Sequence, residues 1–180
     1  MGFGTIFATI MFVVIISITS YLFTTGSLFS MDTLSNSLKK MNEIENERLK
    51  TEIEIGENVS VTDSNPGPGS KINVFINNSG STKIVNSDYK HMDVFVYYNA
   101  TGTGNITKWI PYKDTDSAAL GGNEWTVTGI SPDLVNPWIF DPDEKMTIVI
   151  KVCPAIEKNS TNWIKVVTPN AVSASKYFRG

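Results

Sequence analysis

The first 31 residues carry no Asp, Glu, Lys, Arg or His, and the whole 180-residue chain holds a single cysteine and a single histidine. Each shortage removes a class of function. A lone Cys153 excludes an intramolecular disulfide and any Cys-rich zinc site. It follows the apolar run Met146 to Val152 and reads as the end of a buried face, since a reactive thiol needs a neighbouring base or helix end. His91 stands beside Lys90 at a predicted strand start, where an exposed or capping role outweighs catalysis. With so few His and Cys there is no Ser-His-Asp set and no multi-histidine metal cluster, so no enzyme and no cofactor are expected. The 15 basic side chains are scattered against 18 acidic ones, for a net charge of -3. Nucleic-acid binding needs clustered Lys and Arg, and is set aside. Gly102-Thr-Gly104 lacks the third glycine and the strand-helix frame of a dinucleotide loop, and predicts a hairpin tip.

Carboxylates are the remaining polar chemistry. Asp114 pairs with Asp116, and Asp141, Asp143 and Glu144 cluster around Pro142. Both groups could present oxygen ligands to calcium, the weak candidates being Asp141, Asp143 and Glu144, although a hard-cation site needs about six oxygens or more. The competing reading is a turn whose Asp side chains bond local amides.

Against these absences stands one long apolar run, Phe3 to Phe23, without proline. A hydrocarbon core of about 30 Å takes about 20 residues of helix, inside which every amide finds an internal partner. The run predicts a membrane span. A cleaved secretory signal is disfavoured by the missing basic n-region and by an apolar stretch beyond the usual length of about 7 to 15 residues. A buried soluble helix would show a polar face, and only scattered Thr and Ser occur here, which bond back to their own helix. Leu34, Leu38, Met41 and Ile44 then recur at helical spacing among polar residues, and no Gly or Pro falls between Ser27 and Ile55. We expect a transmembrane helix over 1–26, a helical stalk over 27–50 with Gly26 as the weak point, and one β domain over 51–180. The stripe either rests on the domain or membrane or pairs with other subunits, being too short for a coiled coil alone.

From Thr51 the apolar period falls to two. Ile53, Ile55, Val59 and Val61 predict one bulged strand or a short hairpin, and Asn65 to Ser70 a turn or linker. Ile72, Val74 and Ile76 form the inward face of a strand over Lys71 to Asn77, and Asn78-Ser-Gly80 a turn. His91 to Tyr98 predicts a strand covered on both faces. Further strands are expected over Thr107 to Tyr112, Glu124 to Val127, Lys145 to Val152 and Asn162 to Val167. The spacing fits an all-β, immunoglobulin-like antiparallel sandwich of about seven or eight strands, preceded by the long helix.

Asn58, Asn77, Asn99, Asn105 and Asn159 each begin an N-x-[S/T] sequon beyond the span, four of them in predicted turns. Acceptors need exposed loops, which favours a domain outside the cytoplasm. Trp109, Trp125 and Trp163 fall on strand patterns and read as core. Trp138, in the proline-rich connection Pro137 to Pro142, is the candidate partner contact, because interfaces favour Trp.

The opening Met1-Gly-Phe-Gly4, the uncharged span, the stalk end Glu47-Arg-Leu-Lys-Thr-Glu-Ile-Glu-Ile55 and the closing Val166-Val-Thr-Pro-Asn-Ala-Val172 resemble the F component of the archaellum, the archaeal swimming filament. The G component and the filament subunits share this anchor-plus-sandwich plan. The resemblance implies a non-catalytic stationary part of the motor, held in the cell membrane, with its sandwich outside the cytoplasm gripping surface-layer protein. The G component, other archaellum subunits or a second copy are the further partners it implies. Processed filament subunits carry a basic residue before a small-residue cleavage site and an acid early in the helix; here no Lys or Arg precedes the span and Thr5 to Phe12 contains no Glu. A pilin-like filament subunit and a membrane-tethered glycan or solute binding protein are the two other readings.

Overall fold

The computed structural model describes residues 2–63 and 69–180. The turn expected at Asn65 to Ser70 lies mostly outside them. The chain separates into two compact units, Met1–Glu45 and Asn46–Gly180.

One uninterrupted helix, α1, covers Phe3–Lys50. Its Thr and Ser hydroxyls return to the helix: Thr9 Oγ1 donates to Thr5 O, Ser17 Oγ to Val13 O and Thr24 Oγ1 to Ser20 O, each at 2.8 Å. That satisfies these hydroxyls without an external partner. The helix continues through Gly26, across which Ser30 Oγ donates to Gly26 O at 2.9 Å. No residue of α1 is buried, and the stripe Leu34, Leu38, Met41 and Ile44 is exposed. By length and composition α1 can cross a membrane.

Arg48 and Lys50 sit in the last turn, where cations complement the carbonyl end of the helix. Thr51 Oγ1 donates to Glu47 O at 2.8 Å, and the Ser81 N–H to Lys50 O at 2.7 Å, occupying carbonyls that the helix leaves free. Gly80 is required at this crossing, because a Cβ there would lie 2.6 Å from Lys50 O.

Nine strands follow among the described residues. They are β1 (Ile53–Ile55), β2 (Ser60–Asp63), β3 (Ser70–Asn78), β4 (Asp93–Ala100), β5 (Gly104–Ile110), β6 (Glu124–Ser131), β7 (Lys145–Val152), β8 (Thr161–Val167) and β9 (Ser173–Arg179). All pair antiparallel in two sheets, β1/β2-β3-β7-β6 and β5-β4-β8-β9. β1 and β2 both pair with β3, Ile53 opposite Asn78 and Ser60 opposite Asn73, so the choice between bulged strand and hairpin falls to the bulged strand. Gly56 anchors the bulge through its N–H to Phe75 O at 2.8 Å.

Alternation fixes the inner faces. Ile72, Val74 and Ile76 on β3 and Ile148 and Ile150 on β7 are fully buried, as are Val94, Val96 and Tyr98 on β4 and Ile164 and Val166 on β8. Each such aliphatic side chain contributes roughly 1.5 to 3 kcal/mol by leaving water. The hairpin tip at Gly102 to Gly104 forms as expected, with φ of 77° and 86° at its glycines.

The structure also corrects several expectations. β9 was not foreseen, because its inner positions are Ala174, Lys176 and Phe178, and a lysine in the middle breaks the apolar alternation. His91 ends a 3-10 helix, Asn86–His91, rather than starting a strand. β4 is covered on one face alone, and Tyr97 on the other is exposed. Trp125 is wholly buried, whereas Trp109 is 56% exposed and donates from Nε1 to Asp93 Oδ1 at 2.8 Å.

Candidate functional site

Edge strand β6 sets the position of a surface cleft. Beyond β5 the chain crosses to β6, where Trp125 N–H donates to Pro111 O at 3.0 Å and Lys113 N–H to Trp125 O at 2.8 Å. Thr126 Oγ1 donates to Thr115 O at 2.9 Å and extends the attachment. This strap carries Tyr112, Asp114 and Asp116 along β6. A register shift between Val127 and Gly129 bulges Thr128 out of the β6–β7 ladder, as edge strands often do.

Opposite the strap, the connection from β6 to β7 carries Trp138. Its φ of 65° lies in the left-handed region, which bulky residues rarely adopt. Two bonds hold it: Tyr89 Oη donates to Trp138 O at 2.8 Å, and Trp138 N–H donates to Asp133 Oδ2 at 3.1 Å. The backbone of Phe140 pairs with Ile84, fixing the far end of the connection. The indole stays 51% exposed, and nearby Leu134 and Val135 are 82% and 78% exposed. Apolar side chains presented together on a loop mark contact surface.

Between strap, bulge and Trp138 lies a cleft of about 570 Å³, floored by Tyr89 and Tyr112. No Lys, Arg or His lines it. Burial raises the Tyr89 phenol beyond the ordinary tyrosine range, and Tyr112, Asp133, Glu144 and Asp141 add to the effect. Tyr112 is raised by burial and then by Asp114. The surroundings thus oppose a further negative charge.

The carboxylates named as calcium ligands do other work. Asp141 Oδ2 accepts from Asn136 Nδ2 at 2.8 Å, Glu144 Oε2 from the Asp141 N–H at 2.9 Å, and the Asp143 N–H binds Asn78 O at 2.8 Å. They shape the turn before β7. Among the described residues no group of three or more His, Cys, Asp or Glu side chains is placed to hold a metal ion.

The sequons divide by accessibility. Asn58 is exposed between β1 and β2, Asn105 is exposed on edge strand β5, and Asn159 is exposed in a turn. Asn77 and Asn99 are partly buried on β3 and β4, and the Asn99 amide is donated to the Glu157 carboxylate. Asn77, Asn99 and Asn105 therefore lie on strands, not in turns; outward strand positions tolerate Asn and look like turn residues in sequence.

Sequence reading missed the outer face of the β5-β4-β8-β9 sheet. Tyr97, Trp163 and Tyr177 stand in one cross-strand row, and Phe95 pairs with Trp109 in the next. Alternating patterns displayed these residues, but not which side meets the other sheet.

Comparison with known proteins follows this geometry. The sequence model of archaeal-type flagellin matches residues 2–178. An uncharacterized protein of Archaeoglobus fulgidus is 29% identical over 180 residues, covering 99% of this chain and 96% of its own. Among solved structures, the archaeal flagellum of Methanospirillum hungatei superposes at a TM-score of 0.50 and 13% identity, over 99% of this chain and 93% of that one. The periplasmic stator complex of FlaF and FlaG from Sulfolobus acidocaldarius gives 0.48 and 22%, over 70% and 87%. At such identities the structural likeness speaks to fold alone, whereas the sequence match spans both helix and sandwich: the chain belongs to the archaeal-type flagellin family.

Proposed function

We propose that this chain is a non-catalytic, membrane-anchored stationary component of the archaellum, its sandwich held outside the cytoplasm to bind surface-layer protein or a partner subunit. The observation that carries the reading is α1 itself. Its first 29 residues from Phe3 to Met31 hold no charge, and no residue of the helix is buried among the described residues. Such a helix is stable in lipid, where its backbone bonds are internal and its apolar side chains face hydrocarbon. The absence of an acidic residue in the first turn supports anchoring over assembly by helix stacking. We assign residues 1–26 to the membrane, 27–50 to a stalk and 51–180 to the binding domain.

The test uses full-length protein. It should resist carbonate extraction from membranes, and in nonionic detergent it should retain isolated surface-layer protein at moderate salt. Trp138→Ala should weaken that retention about tenfold while leaving the far-UV spectrum intact. Release by carbonate, or no retention, overturns the reading. A filament-subunit role is the second reading, favoured by the exposed stripe Leu34, Leu38, Met41 and Ile44. It requires that purified protein, freed of detergent, form filaments visible by electron microscopy.

A further inference from the structure

The cleft beside β6 combines aromatic walls, carboxylates and a neighbouring stretch of exposed apolar side chains. Its walls are aromatic, with Tyr89 and Tyr112 inside and the half-exposed Trp138 at the rim. Its carboxylates are Asp114 and Asp116, with Thr115 between them, and the preceding Lys113 does not line it. The connection that carries Trp138 also exposes the apolar side chains of Leu134 and Val135. Behind the Trp138 wall, Asp133 Oδ1 is buried without a hydrogen-bond partner among the described residues.

Aromatic faces attract cations through the ring quadrupole, and the exposed carboxylates lining the same cleft add direct charge attraction. A volume of about 570 Å³ exceeds what a bare metal ion needs and fits a long side chain with part of its backbone. A small cation would leave the neighbouring Leu134 and Val135 wet, whereas an extended segment would cover them.

We infer that this cleft is the docking site for a basic polypeptide segment of a partner protein, an Arg or Lys side chain entering between Tyr112 and Trp138 toward Asp114 and Asp116. The assignment rests on the reading of the sandwich as a partner-binding module and names the place and charge of the contact. A guanidinium or ammonium there gains from both rings and carboxylates, and the flanking residues lie along Leu134 and Val135.

The experiment titrates full-length protein in nonionic detergent with a fluorescent hexa-arginine peptide, followed by anisotropy, with hexaglutamate and calcium as separate arms. Hexa-arginine should bind and hexaglutamate should not. Asp114→Asn with Asp116→Asn should weaken binding at least about tenfold. Trp138→Ala, which leaves the charge unchanged, should weaken it several-fold. Glu52→Gln with Glu54→Gln and Glu57→Gln removes exposed acids elsewhere and should leave it unchanged. No binding, equal loss in the Glu52, Glu54 and Glu57 variant, or no loss in Trp138→Ala overturns the inference. Saturable calcium binding that displaces the peptide and vanishes in the Asp114 and Asp116 variant also overturns it, in favour of a metal. Retention of surface-layer protein that ignores these substitutions rejects the cleft while leaving the proposed function standing. Peptide binding without surface-layer retention does the reverse.

Discussion

Asn78 ends β3 with a fully enclosed amide whose Nδ2 donates to Thr82 O at 2.9 Å and Phe140 O at 3.2 Å, while Oδ1 accepts from the Gly80 N–H at 3.2 Å. It ties the turn after β3 to the connection carrying Trp138. Removing it takes the donor from Thr82 O, while Phe140 O keeps the Ile84 N–H, so Asn78→Ala should cost about 1 to 2 kcal/mol, read as a lower urea midpoint at unchanged slope. An unchanged midpoint would show that the bonds are replaced. The sequence gave the turn away through Asn78 and Gly80, two residues apart, but not the partner 62 residues later. The same limit governs the tryptophans: Trp109 and Trp125 sit on similar alternating patterns, and only the sheet pairing puts one outside and the other inside.

α1 is the element most legible beforehand, since its composition and its proline-free length act locally along one helix. The physical demand at its centre is absence of charge. A lysine at Val14 should cost about 2.5 to 3.5 kcal/mol of insertion free energy and reduce the carbonate-resistant fraction, whereas Asn42→Lys in the stalk should not. Equal resistance in both variants would argue against a span over the first part of α1. The strands were less complete. β3 and β7 show plain alternation and were read nearly to their ends, but β9 has few apolar side chains to mark its pairing with β8, with Ser173, Ser175 and Arg179 outward. Backbone hydrogen bonding leaves little trace in side-chain type. Of the candidate site, Trp138 and the pair Asp114 and Asp116 were legible separately; they converge with Tyr89 and Tyr112 because separate connections are fastened to β6 and to Ile84.

The two compact units obey different rules of stability. In Met1–Glu45 the hydrogen bonds are helical or return to the helix and no side chain is buried, so its order depends on the surrounding solvent. Asn46–Gly180 encloses one apolar core between two sheets and should unfold cooperatively. In nonionic detergent, urea should therefore abolish the near-UV aromatic signal in one transition while helical ellipticity near 222 nm largely persists. A single coincident loss of both would show that the units are coupled. By itself the sequence determined the uncharged apolar helix, the two-residue period beyond it and the poverty in His and Cys, because composition and periodicity are properties of neighbouring residues. Only the tertiary structure decided which aromatics face water, that β1 and β2 share one edge, and that a cleft with carboxylates and aromatic walls forms beside β6, because these follow from pairing between residues far apart in the chain, and local patterns do not encode the partner.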